Sequence, residues 1–189
     1  MKKDYKKYRW FFTSSGNLVV GGKSSEQNEE LVKNADKQDI IMHTSSPGSP
    51  FCIIKNPNKN DIEECAIFNA CFSQEWKRGK EKSEVHIFSG NQIIKNKGMK
   101  GGTFGIIGKV KKEQVELKLA LCFQEKILRA VPLKTAGKEG MFIITPGKIN
   151  KEEASKKILA LLNEKFDVIV SKEAVLSAIP SEGFNIKPF

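Results

Sequence analysis

A chain of 189 residues with 39% hydrophobic side chains is long enough to bury a core without staples, and 32 Lys plus Arg against 22 Asp plus Glu leave a net charge of +10 and a pI near 9.4. That balance makes a polyanionic partner plausible. A start that is charged from Lys2 onward, and the lack of any run near 18 apolar residues, exclude a secretory leader and a membrane span and predict a soluble, cytoplasmic protein. The four cysteines, Cys52, Cys65, Cys71 and Cys122, have spacings that fit neither a zinc ribbon nor a Cys-x-x-Cys redox pair, and each lies in an apolar run. Buried thiols in a reducing compartment are expected.

In chain order, residues 8–12 and 18–21 are β-rich runs joined by a polar loop, which predicts a hairpin with Trp10 and Phe12 on one face. Ser24 followed by Gln27 reads as a capping box for a helix over residues 25–35, with Leu31, Val32 and Ala35 as its apolar stripe. Two strands are predicted at 39–43 and 51–55, separated by a loop that Pro47, Gly48 and Pro50 keep from being helical. Asp61 with Glu64 caps a second, mostly buried helix expected to run to Arg78 and stop at Gly79. Residues 85–88 and 92–95 read as a second hairpin, and 103–111 as a further strand.

From Gln114 the pattern becomes a clean alternation, Val115, Leu117, Leu119 and Leu121, which predicts a half-buried strand hairpinning back on its predecessor. Strands at 126–132 and 141–145, a helix from Asn150 to about Lys165 and a short helix over 171–178 complete the chain. The fold class is therefore α+β: a mixed, mainly antiparallel sheet with two helices over residues 1–112, and a small α+β extension over 113–189. The sequence leaves open whether that tail is a separate lobe or continues the first sheet.

Charge is segregated along the chain. Residues 89–112 carry Lys95, Lys97, Lys100, Lys109, Lys111 and Lys112 with no acidic side chain, whereas residues 26–39 and 61–75 are rich in Asp and Glu. The Gly21, Gly22, Lys23, Ser24 run ends like a P-loop, but that pattern needs glycine at position 17 and finds Asn17. What remains is a pair of glycines leading into a capped helix start, where backbone N–H groups and the dipole suit a single phosphate, with Lys23 beside it. A tight strand-to-helix turn explains the same glycines.

Gln27 and Asn28, in the first helical turn, can hydrogen-bond a phosphate, ribose or base edge, or Asn28 can pin the loop after His43. His43 closes one strand and Lys55 the next, which would place an imidazole and an ammonium on one sheet edge. Lys95, Lys97 and Lys100 with Gly101 and Gly102 form the best backbone-binding segment, since glycines allow close approach and lysines neutralise phosphates. Trp10, Phe12 and Trp76 are candidate stacking surfaces as well as candidate core residues. All four cysteines sit amid apolar neighbours, and two histidines do not make a metal site, so neither catalytic residues, a metal nor a cofactor is predicted.

Taken in order, Arg9, Trp10, Phe11; Leu18 to Gly22; Gln27, Asn28, Glu29; Asp39 to His43; Gly48, Ser49; Lys55, Asn56, Pro57; Phe68, Asn69, Ala70, Ser73; Lys95 to Gly98; Gly102, Thr103, Phe104; and Gly108, Lys109 closely resemble the NFACT-R family, over roughly residues 5–112. That family is the presumed RNA-binding domain of ribosome-quality-control proteins and also occurs as small free-standing proteins. The resemblance implies an RNA-binding module acting on tRNA or rRNA, with the ribosome as a further partner, and a functional face that includes Arg9, Lys23, Gln27, Asn28, His43, Lys55 and the Lys95 to Gly102 segment. An RNA-modification enzyme or its RNA-delivering subunit, a DNA binder and a protein adaptor remain the competing classes.

Overall fold

A computed structural model of the protein describes residues 4–166 and 169–189. The opening hairpin is β1 (Arg9–Phe12) against β2 (Leu18–Gly21), in the register Trp10↔Val20 and Phe11↔Val19. Helix α1 (Ser25–Lys33) follows, its start capped by the Ser24 side chain, which accepts from the Gln27 N–H. Strands β3 (Ile40–Thr44) and β4 (Cys52–Ile54) pair antiparallel, with Met42 opposite Cys52. Helix α2 (Lys59–Cys71) opens with a reciprocal capping box between Asn58 and Asp61.

The expected single helix to Arg78 is two. Ser73 bonds the Ala70 carbonyl at 2.7 Å and accepts from the Glu75 N–H at 3.1 Å, while the Gln74 N–H is taken by the Gly48 carbonyl at 3.0 Å. The local side-chain bonds replace the helical ladder, and a separate turn, α3 (Gln74–Lys77), begins there.

Strand β5 (Lys82–Ser89) lies against β3. The second hairpin is not formed as predicted: β6 (Ile93–Ile94) pairs with β7 (Gly105–Ile106) and not with β5. The intervening Gly90 to Gln92 turn is tied elsewhere, since Gly90 and Asn91 donate to the Asp39 and Lys37 carbonyls at 3.0 Å each. Strand β8 (Lys111–Glu116) then returns to β5, giving a six-stranded sheet in the order β1-β2-β4-β3-β5-β8.

The remaining chain forms β9 (Leu119–Gln124), β10 (Ile127–Val131), the short α4 (Leu133–Ala136), β11 (Phe142–Ile149), α5 (Lys151–Phe166), α6 (Lys172–Ala178) and β12 (Phe184–Pro188). Its strands make a four-stranded sheet in the order β10-β9-β11-β12. The helices expected after Asn150 and Ser171 start where those side chains cap them, whereas β12 had no sequence signal. The tail thus both extends the first sheet, through β8, and builds one of its own. The boundary expected after residue 112 falls inside β8.

Period-two alternation splits the six-stranded sheet into two packed faces. Phe11, Val19, Met42, Cys52, Ile54, Val85 and Ile87 meet α2 and the second sheet in one continuous cluster that includes Phe68, Trp76, Leu121, Phe142, Leu162 and Phe184. On the other face Trp10, Val20, Ile41, Ile53 and Phe88 pack with Leu31 and Val32 of α1 and with Phe51, Phe104 and Ile106. Full burial of a ring such as Phe68 is worth about 1.5–3 kcal/mol. Trp10 and Trp76 are both inside, so neither indole offers a stacking surface; the Trp76 indole N–H donates to the Gly183 carbonyl at 2.9 Å.

All four cysteines are buried and unpaired, and burial pushes the Cys122 thiol up to about 11 and Cys71 higher still. The outer border of β1 is covered by side chains of the second sheet. Gln124 accepts from the Phe12 N–H at 2.9 Å and donates to the Phe12 carbonyl at 2.7 Å, and Arg129 Nε donates to the Trp10 carbonyl at 3.1 Å.

Candidate nucleic-acid interface

Antiparallel pairing sets one end of the six-stranded sheet as the site. Arg9 opens β1 opposite Gly21, His43 is the last residue but one of β3 and lies opposite His86, and Phe51 immediately precedes β4. The loop between β3 and β4 is pinned from several sides. Asn69, buried on α2, donates to the Met42 carbonyl at 3.1 Å and to the Pro50 carbonyl at 2.8 Å. Ser49 accepts from the Thr44 N–H at 3.0 Å, and Asn28 accepts from the Phe51 N–H at 3.0 Å. Gly48 has φ +90°, and a Cβ there would lie 2.5 Å from the Gln74 side chain, so the loop closes only around glycine.

These contacts shape a cleft of about 360 Å³ lined by Arg9, Gly22, Lys23, Ser24, Ser25, Asn28, His43, the Gly48 to Phe51 segment, Phe72, Gly102 and Ser181. The Arg9 guanidinium lies 5.3 Å from the centre of the Phe72 ring and is within 3.5 Å of the Gly22 carbonyl, but its buried Nε has no partner. Burial lowers its pKa. Lys23, at the rim, is lowered by burial and then by Arg9 and Arg129. Burial and then Arg9 bring Arg129 down to about 10, still fully charged at neutral pH. Lys151 is lowered by burial and by Arg9, against a smaller opposing pull from Glu182.

Four cations therefore act on one another, with Arg9 common to every pair but one. Among the described residues none of the four takes part in an ion pair. Positive charge concentrated beside a helix start, opposed only in part by Glu182 at Lys151, is what an anion would compensate.

Arg9, Gly22, Lys23, Asn28, His43 and Gly102 are thus brought together as the sequence suggested. The glycine pair is explained by packing: a Cβ on Gly22 would sit 2.1 Å from Asn28 Oδ1, and one on Gly21 would sit 2.9 Å from Cys52 Sγ. Gln27 closes the turn, accepting from the Lys23 N–H at 3.0 Å and donating to the Lys7 carbonyl at 3.4 Å.

Lys55 does not share an edge with His43. Antiparallel strands reverse direction, so His43 neighbours Phe51 while Lys55 emerges at the opposite end, where it is ion-paired with Asp36 and, at 3.3 Å, with Asp39. Lys95 is a clasp: its ammonium meets Glu29 at 3.1 Å and the Lys100 and Thr103 carbonyls at 2.9 and 3.0 Å. Glu29 also accepts from the Gly102 N–H at 2.7 Å, which fixes the lysine loop to α1. Lys97, Lys100 and Gly101 lie on the exposed part of that loop, outside the cleft lining.

Burial, with a smaller contribution from His86, lowers the His43 pKa. Its Nδ1 lies 2.7 Å from the Thr44 carbonyl, which can only accept, so Nδ1 carries the proton. Arg129 and Lys151 were missed from the sequence. A charge within the apolar run from Leu128 to Val131 was the available signal, but nothing local says that it faces Arg9.

The family model described as NFACT protein RNA binding domain matches residues 7–108, which contain most of the cleft, and the chain belongs to that family. The archaeal Rqc2 homolog aRqcH of Methanocaldococcus jannaschii is 30% identical over 98% of this chain, so the likeness extends through the tail. The ribosome quality control complex subunit NEMF of Homo sapiens is 33% identical over 38% of the chain. The chain spans 29% of the archaeal protein and 7% of the human one. The solved C-terminal part of the fibronectin/fibrinogen-binding protein from Streptococcus suis superposes with a TM-score of 0.50 at 21% identity, over 58% of this chain and 43% of that one, a similarity of fold. No helix among the described residues is long and apolar enough to cross a membrane, and none of their His, Cys, Asp or Glu side chains group in threes as metal ligands.

Proposed function

We propose that this protein is an RNA-binding module that grips the sugar–phosphate backbone of structured RNA, tRNA or rRNA, in the cleft at the start of α1, and that it serves ribosome quality control by binding and not by turnover. The observation that carries the reading is a cleft lined by Arg9 and Lys23 beside the capped start of α1, with the buried Arg9 Nε unpartnered and no ion pair made by either side chain among the described residues. The exposed Lys97 and Lys100 would extend the contact along the strand. Family membership and the names of the relatives support RNA as the polyanion and ribosome rescue as the setting.

The test is fluorescence anisotropy with a labelled tRNA across a salt series. Replacing Arg9 and Lys23 together by Gln is expected to weaken binding about tenfold or more and to flatten the salt dependence by about 0.7–0.9 per lost phosphate contact. Wild-type affinity and slope in that variant, with its fold intact by circular dichroism, would refute the cleft. A DNA hairpin of the same sequence bound as tightly would point to the DNA-binding class instead.

A further inference from the structure

Beside the cationic cleft lies a second hollow of about 380 Å³, whose character is different. It shares His43, Gly48, Phe51 and Gly102 with the cleft and is otherwise walled by Phe104, Ile106, Thr103, Ser45 and His86. Its rings are fixed against one another: His43 packs on Phe51 with centroids 4.5 Å apart at 38°, and Phe104 stands edge-on to Phe51 at 5.2 Å and 79°. Phe104 and Ile106 remain only half-buried although they belong to the core of this face. Two of the four shared residues are glycines, Gly48 and Gly102, and the Gly102 peptide is held in place by Glu29.

We propose that this hollow receives one unpaired nucleobase of the RNA whose backbone occupies the cleft. The inference rests on the reading given above and adds a preference to it: the protein selects RNA that presents a looped-out or terminal nucleotide. An aromatic and aliphatic wall suits the π-face of a base, which stacks on such side chains with little regard to sequence. A polar rim of Ser45 and Thr103 suits its edge. His43 contributes an acceptor, because its Nδ1 proton is committed to the Thr44 carbonyl and the neutral ring leaves Nε2 with a lone pair. The shared residues make the two hollows continuous, so one nucleotide can place its phosphate on the cations and its base against Phe104 and Phe51.

The experiment compares three labelled RNAs of equal length with the full chain: a perfectly paired hairpin stem, the same stem with one bulged nucleotide, and the bulged stem with an abasic site at that position. The bulged RNA is expected to bind about tenfold more tightly than the other two, and 2-aminopurine at the bulge to change its fluorescence on binding. In Phe104→Ala the ratio between intact and abasic RNA should fall to about one, a readout that cancels any general loss of affinity. Equal binding of all three by the wild type, with salt dependence preserved, would overturn the base pocket while leaving the backbone cleft standing. Absence of binding to any of them would overturn both.

Discussion

His43 shows how much one side chain's surroundings decide. Its imidazole is wedged against Phe51 and faces His86, while Lys112 lies opposite His86 on the neighbouring strand and Glu84 binds the His86 ring at 3.0 Å. Burial dominates and holds its pKa below the ordinary 6.5, so the folded state binds this proton less readily than the unfolded chain does. His43 should therefore cost no stability above about pH 6.5 and weaken the fold as pH drops below that value. Urea denaturation at pH 7.5 and 5.5 is expected to show a smaller loss in His43→Gln than in the wild type; an unchanged loss would assign the acid sensitivity to other groups. At this scale the sequence was informative wherever a polar side chain stood at an odd place, as Arg9, Asn28 and His43 do. It misplaced Lys55, because which end of a strand faces which loop is decided by pairing direction. It could not reveal Arg129 as a neighbour of Arg9, since 120 residues separate them.

The entry into α1 depends on a glycine and an amide that fit only each other. A methyl group on residue 22 would strike Asn28 Oδ1, and Asn28 uses that oxygen to hold the Phe51 N–H. Gly22→Ala and Asn28→Ala should each cost about 1–3 kcal/mol, through the same buried N–H left without an acceptor. The double variant is expected to fall short of their sum by about 1 kcal/mol in a denaturant-melt cycle, and full additivity would separate the two. Capping residues made three helix starts legible, at Ser24, Asn150 and Ser171, whereas α2 is capped by Asn58, three residues before the expected Asp61, which is instead the acidic partner of that cap. The break at Ser73 was hidden by apolar residues that continue on helical spacing across it. The expected 92–95 hairpin failed for a tertiary reason, because Gly90 packs directly on the Asp36 carbonyl, where a Cβ would come within 2.3 Å.

Across the molecule, the α+β class was readable from the alternation of strands and capped helices, but the division of the chain was not. One buried cluster runs from Phe11 through Trp76 to Phe184, and Arg129 and Lys151, two cations that Arg9 acts on, come from the second half. A chain ending at residue 116 would expose the Trp76 ring, which packs 5.7 Å from Phe184, and remove the carbonyl its indole N–H needs. Such a chain is expected to show no cooperative thermal transition by calorimetry and to lose most RNA affinity. A sharp transition near that of the full chain would establish residues 1–116 as independently folding.

The side-chain cover on β1 has a consequence for how anything can attach to this protein. Gln124 occupies both backbone groups that Phe12 would otherwise present outward and Arg129 the Trp10 carbonyl, and the opposite border strand carries Lys111, Lys112, Glu113 and Glu116. Neither margin of the six-stranded sheet is an inviting template for a foreign peptide or for another copy to join in register. Partners must meet it through loops and charged tips, which keeps a sheet-rich molecule from polymerising edge to edge.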